Sequence, residues 1–244
     1  MYGICLLTTI PMRKEKSDKS EMINQVLFGE NFKILKKEKK WSFVELFHDN
    51  YKGWVCNKQY SLISKRNIPS LISNKKYCYI KIENNNQSIV LGSLIPKDEE
   101  IKKTLKIKSN LNFCKMEKFD IWFNNICKKY LNTPYLWGGR TPFGIDCSGY
   151  TQMVFRFFNI YLPRDAYQQE KEGDNIDFLK RKMGDLAFFE LNNKITHVGI
   201  ILKNNKIIHS SGKVKINYID NLGIYEDPKL KEYTHILKSI KRLI

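Results

Sequence analysis

The chain has 244 residues, 42% hydrophobic and 13% aromatic, with a formal net charge of +17. That length suffices for two compact units, the apolar content excludes a disordered chain, and no apolar run reaches the roughly 18–20 residues of a membrane-spanning helix. The charge raises nucleic acid as a partner, but only 7 of the 42 basic residues are Arg and the lysines are spread along the whole chain; Arg is the residue favoured for bidentate phosphate and base contacts, so neither a nucleic-acid nor a membrane partner is expected.

The N-terminal run Met1 to Ile10 lacks the cationic start of a secretory signal and reads as a first β-strand, which makes a cytoplasmic chain, or an exported one without its signal, the expectation. Residues 1–62 carry short β-rich runs at Phe32–Leu35, Trp41–Phe47 and Gly53–Val55, with turn chemistry at His48-Asp49-Asn50. Both faces of the Trp41–Phe47 run are partly apolar, which fits a small barrel better than an open sheet. Residues 63–114 contain strand-like runs at Tyr77–Ile82 and Ser88–Leu91 around the polar turn Glu83–Asn86. Either a degenerate second barrel or a β-rich linker fits that segment.

From 115 to 244 the pattern is α+β. Phe119, Trp122, Phe123, Ile126, Cys127 and Tyr130 recur at helical spacing over 116–131, and Asn132-Thr133-Pro134 ends that helix. A glycine-bearing loop leads to a second helix from Cys147, with Met153, Val154, Phe157 and Phe158 as its stripe. Strand-like runs follow at Asp185–Phe189, Val198–Leu202 and Lys206–His209.

Six cysteines are scattered without a C-x-x-C pair, so neither a zinc site nor a disulfide framework is expected. Cys147 stands apart because it heads a helix. Backbone amides and the helix dipole there favour an anion, so a thiol pKa below the usual value is expected, and the same amides suit an oxyanion. A thiolate needs a base and a group that orients the base. His197 opens an apolar strand and His209 closes the next, with Lys203-Asn204-Asn205 between them. A three-residue loop at 203–205 pairs residue 199 with 209 and puts both imidazoles on one face as diagonal neighbours; a two-residue Asn204-Asn205 turn puts them on opposite faces.

Four motifs in order, Tyr135-Leu-Trp-Gly-Gly139, Asp146-Cys-Ser-Gly149, His197-Val-Gly-Ile200 and Ile208-His-Ser210, resemble those of NlpC/P60 peptidases over about 130 C-terminal residues. The resemblance implies a papain-like domain preceded by an SH3-like barrel, with Cys147 as nucleophile, His197 as base, His209 orienting it, and no metal or organic cofactor. The whole chain resembles the murein-recycling branch of that family, the γ-D-glutamyl-L-diamino acid endopeptidases. In that branch a barrel tyrosine and acidic residues hold the free amine of L-alanine. By motif these are Tyr51, Asp146 and Asp165, helped by Ser148, with Trp137 as a cleft wall. Tyr51 also reads as a turn aromatic, and Asp146 and Asp165 as helix caps. Ala166 stands where some relatives carry a small hydroxyl residue. Arg140 and Arg164 are candidates for substrate carboxylates. A monomer acting on murein peptides is expected. The rivals are a secreted endopeptidase or amidase acting on intact peptidoglycan, and a wall-binding protein without catalysis.

Overall fold

The computed structural model describes residues 1–66, 71–96, 98–108 and 119–243, and the side chains of 119–122 are not described. The chain divides into two compact units. The first comprises residues 1–118, 137–142 and 157–159; the second comprises 119–136, 143–156 and 160–244. The expected boundary at 114/115, Cys114 and the helix start at 116–118 lie outside the described residues.

In the first unit an antiparallel seven-stranded sheet runs in the order Met22–Leu27, Thr9–Arg13, Lys52–Cys56, Trp41–Leu46, Asn31–Lys37, Tyr2–Ile4, Ser61–Ile63. The single N-terminal strand expected over residues 1–10 is two strands, Tyr2–Ile4 and Thr9–Arg13. Alternate residues turn inward to a core of Ile10, Met12, Phe32, Val44, Leu46 and Val55, against which Tyr51 and Tyr60 pack. Burying each large apolar side chain stabilises this small barrel by about 1.5–3 kcal/mol.

Residues 71–96 and 98–108 hold short paired strands. Tyr77–Ile82 and Asn85–Val90 form a hairpin, Ile107–Lys108 pairs alongside Tyr77–Ile82, and Leu71–Ile72 pairs with Leu94–Ile95. The hairpin turn is shorter than expected. Asn85 pairs with Ile82, so only Glu83 and Asn84 are left in the turn, and Glu83 takes a left-handed φ of 55°. Ile80, Ile89, Ile95 and Ile107 share one apolar cluster with Phe28, which ties this segment to the barrel.

The second unit is the α+β domain. Its first helix, Phe119–Lys129, buries Phe123, Ile126 and Cys127, and a left-handed Asn132 (φ 64°) follows it. The helix Cys147–Arg156 has all ten residues buried. Phe157 and Phe158, expected on its stripe, fall beyond its last residue. Six strands then close on themselves in the order Leu186–Leu191, Lys194–Ile201, Lys206–Ser211, Lys213–Ile219, Gly223–Tyr225, Tyr233–Arg242, the last pairing back to the first. The last three strands were not foreseen from the sequence. The fold is α+β, with helices and a closed sheet in the second unit and a small β-rich unit before it in sequence.

Candidate active site

The segment Thr133–Leu136 positions the chain that enters the Cys147 helix. Its backbone bonds to the Lys213 strand and its approach through Thr133–Val214 (2.8 Å) and Tyr135–Gly212 (2.9 Å), and Ile145 N–H donates to Pro134 at 3.0 Å. Ser210 Oγ donates to the Ile145 carbonyl at 2.8 Å, so the residue next to His209 also holds the approach to the thiol.

Asp146 precedes the helix and caps it. Its Oδ1 accepts from Gly149 N–H at 2.7 Å, and Tyr150 N–H donates to its carbonyl at 2.9 Å. Arg164 clamps the same carboxylate with both guanidinium nitrogens, and its Nη1 also donates to Ser148 Oγ at 2.9 Å. Gln169 fixes the first turn from a further side. It accepts from Thr151 Oγ1 at 2.7 Å and donates to the Ser148 and Pro163 carbonyls at 3.0 and 2.8 Å. The expectation that Arg140 and Arg164 meet substrate carboxylates is corrected: both are buried, Arg164 on Asp146 and Arg140 on Glu30 within the first unit. Asp165 is half-buried at the head of the short helix Ala166–Gln169, where its N–H donates to Gln168 Oε1 at 3.2 Å.

Cys147 is buried at the head of its helix. The expected lowering of its pKa does not hold. Burial pushes the thiol up to about 12, Asp146 adds to the rise, and the amides of Val198 and Ser148, with Arg164, oppose it without winning. The interaction with the Val198 N–H brings the sulfur to the strand of His197, immediately beside that histidine in sequence.

The hairpin takes the register of the three-residue loop. Gly199 pairs with His209 and Ile201 with Ile207, while Asn204 and Asn205 adopt left-handed φ of 59° and 53°. His197 and His209 are therefore diagonal neighbours, and His197 Nε2 lies 2.8 Å from His209 Nδ1. The next strand repeats the stagger. His209 pairs with Lys215, and its Nε2 lies 2.9 Å from Oδ1 of Asn217, two residues further along that strand. Burial first, then His209, His235 and Lys215, hold His197 well below the ordinary histidine value; burial brings His209 down to about 4. Both rings are neutral near pH 7.

Gly199 makes this packing available. A Cβ there would stand 2.8 Å from Ile207 Cδ1 and 2.9 Å from His209 Cβ. Alanine normally improves a strand interior, but Gly199→Ala is expected to lower stability by about 1–3 kcal/mol through overpacking and to cut turnover by about 10-fold or more as His209 shifts. Thermal melting and steady-state rates measure the two effects.

Sequence reasoning missed three residues at this site. Asn217 lacked a local signal beyond being a polar residue in the apolar alternation of its strand. His235 comes from the last strand, and its ring centroid lies 4.2 Å from that of His197. Tyr135 was read only as part of a motif. It lines a cavity of about 410 Å³ together with His197, His235, Ser210 and Glu190. Burial first, then Cys147 and Asp146, raise its phenol, so it stays a hydrogen-bond donor. Tyr51 and Trp137 belong to the first unit. Tyr51 follows the left-handed Asn50 and packs on the barrel core, and its N–H donates to Asp49 Oδ1 at 3.0 Å. Trp137 is exposed and donates through Nε1 to Glu21 at 2.8 Å.

A buried thiol at a helix head, in reach of an amide on the strand that carries an imidazole pair, marks the site of this α+β domain. The NlpC/P60 family model matches residues 132–231, and the bacterial dipeptidyl-peptidase Sh3 domain matches residues 12–59. A probable endopeptidase NlpC homolog of Haemophilus influenzae is 33% identical over 149 residues, covering 59% of this chain and 75% of that protein. The chain belongs to the NlpC/P60 family of peptidases. The gamma-D-glutamyl-L-lysine dipeptidyl-peptidase of Bacillus subtilis is 42% identical over 84 residues, 33% of this chain and 28% of that protein. The murein DD-endopeptidase MepS/murein LD-carboxypeptidase of Escherichia coli is 41% identical over 78 residues, 32% of this chain and 42% of that protein. The matched region spans only 20–28% of the length of the first curated relatives. Among solved structures, an NlpC/P60 family protein from Bacillus cereus superposes with a TM-score of 0.80 at 17% identity, covering 100% of this chain and 99% of that one, a likeness of fold.

Proposed function

We propose that the chain is a cysteine peptidase that hydrolyses the bond between γ-D-glutamate and a diamino acid in murein peptides with a free N-terminal L-alanine. The observation that carries the chemistry is the imidazole pair. Because Nε2 of His197 is engaged with His209, its Nδ1 is left to take a proton. In this reading Nδ1 removes the Cys147 proton as sulfur attacks the γ-carbonyl. Amides at the helix head and the Tyr135 hydroxyl receive the oxyanion. His197 then returns the proton to the departing amine of the diamino acid, leaving a γ-glutamyl thioester. Water, deprotonated by the same nitrogen, opens the thioester and frees the dipeptide.

The substrate reading rests on two likenesses. The N-terminal barrel matches a domain described for bacterial dipeptidyl-peptidases, and the Bacillus subtilis relative is a gamma-D-glutamyl-L-lysine dipeptidyl-peptidase. Within the second unit, Asp165 and Ser148 serve the ammonium end of the substrate in this reading, and Asp146, neutralised by Arg164, supports them from beneath. The comparable identity to the Escherichia coli protein favours a second reading, an endopeptidase acting on intact peptidoglycan. A panel of L-Ala-γ-D-Glu-meso-diaminopimelate, its lysine counterpart and their N-acetylated forms, followed by mass analysis of products, separates the two. The free peptides are expected to release L-Ala-γ-D-Glu. Acetylation is expected to lower kcat/KM on the order of 100-fold, the scale of leaving a desolvated charge without its partner. Equal rates on the free and acetylated peptides would remove the free-amine reading.

A further inference from the structure

The polar chain that starts at His197 does not stop at His209. His209 Nε2 meets Asn217 Oδ1 at 2.9 Å, and Glu226, paired with Lys215 at 2.5 Å, is near enough to the Asn217 side chain to interact with it. Asn217 is buried, whereas Glu226 is exposed and immediately follows the Gly223–Tyr225 strand. The geometry sets the direction of these bonds through the Asn217 Oδ1 that faces His209, and Glu226 favours that orientation. An ionised carboxylate only accepts, so Glu226 must take the amide NH₂ of Asn217. That orientation turns Oδ1 toward His209. An amide oxygen also only accepts, so His209 carries its proton on Nε2 and offers a bare Nδ1. His197 must then donate through Nε2, which leaves the lone pair on its own Nδ1.

We propose that Asn217, oriented by Glu226, is a positioning residue that sets the tautomers of both histidines and thereby aims the basic nitrogen of His197 away from the relay. The strand register explains why this side chain is in reach. His197, His209 and Asn217 lie on three successive strands, each displaced two residues from the position directly opposite its neighbour. Each step is therefore the same diagonal contact on one face of the sheet. Other charged or titratable groups around His209 are His235, Lys215 and Glu226. Of these, Glu226 interacts with the Asn217 side chain.

The kinetic part of this inference rests on the peptidase reading, but the tautomer part does not. The experiment therefore uses both. Ring ¹⁵N chemical shifts of the full-length protein are expected to show His197 and His209 as Nε2–H tautomers. In Asn217→Ala the His209 signals are expected to become a mixture of tautomers, and kcat on L-Ala-γ-D-Glu-meso-diaminopimelate to fall about 10–100-fold with KM within threefold. Glu226→Gln leaves the buried core untouched and lets the Asn217 amide turn either way. It is expected to give a partial tautomer mixture and about a threefold loss of kcat, and it decides the matter if Asn217→Ala fails to fold. Unchanged tautomers in the folded variants overturn the proposal, whatever the rates. If the wild-type protein cleaves no murein peptide, the peptidase reading fails while the tautomer result still judges the relay.

Discussion

Cys147→Ala is expected to lower turnover of L-Ala-γ-D-Glu-meso-diaminopimelate by roughly four to six orders of magnitude, with the melting temperature changed by only a few degrees. The size follows from removing a covalent nucleophile, after which only binding and the oxyanion donors remain. The small structural effect follows from the site. The helix head is held by the Asp146 cap and by Gln169, and neither depends on the sulfur. Burial shifts both Cys147 and His197 toward their neutral forms. Burial lifts Cys147 to about 12 and depresses His197 well below its usual value, so both shifts oppose a standing thiolate–imidazolium pair. In the proposed reaction proton transfer then accompanies attack on the carbonyl. For this reason Cys147→Ser is also expected to be nearly inactive, because a hydroxyl is a far poorer acid than a thiol and His197 is a weak base. Substrate consumption by Cys147→Ala above about 1% of the wild-type rate would exclude sulfur as the nucleophile.

The parts of this site legible in the sequence are those set by short-range periodicity. Cys147 heads a helix because an apolar-periodic run begins there after a loop. His197 and His209 share a face because the loop between them can hold two left-handed residues, and Asn204 and Asn205 both adopt that conformation. What local pattern could not supply is whatever depends on contacts distant along the chain. The thiol pKa was expected to fall because the helix dipole is visible in sequence and desolvation is not; desolvation is the larger effect. Arg164 was read as meeting substrate carboxylates, whereas folding brings it and Asp146, 18 apart in sequence, into one buried pair. Asn217 reaches His209 from the strand next to it, and His235 reaches His197 through the closure of the sheet, both on strands that the sequence did not announce. In the first unit, the segment after residue 63 was ambiguous because its apolar residues find their core on Phe28, far upstream.

Arg164→Met is expected to be the most destabilising single change at the site. Arg164 and Asp146 are 2% and 4% exposed. An exposed ion pair of this kind would be worth less than about 1 kcal/mol. A buried one behaves differently when only one partner is removed, because the remaining carboxylate has no water to turn to, and the cost is about 3–5 kcal/mol. For a unit of this size that corresponds to a fall in melting temperature of roughly 6–20 °C. Ser148 would lose its donor as well, loosening the turn that presents the thiol. Asp146→Asn with Arg164→Met removes both charges and keeps a side-chain oxygen to cap Gly149, so the double variant is expected to regain most of the lost stability. The pair also tests the part assigned to Asp146 beneath the amine site. If its charge helps to hold the substrate ammonium, the restored double variant will fold normally yet show a raised KM for free-amine peptides and an unchanged one for acetylated peptides. If Arg164→Met melts within about 1 kcal/mol of wild type, the guanidinium does not hold the nucleophile turn, and the anchoring of Cys147 must be sought in Gln169 and the Ser210 contact instead.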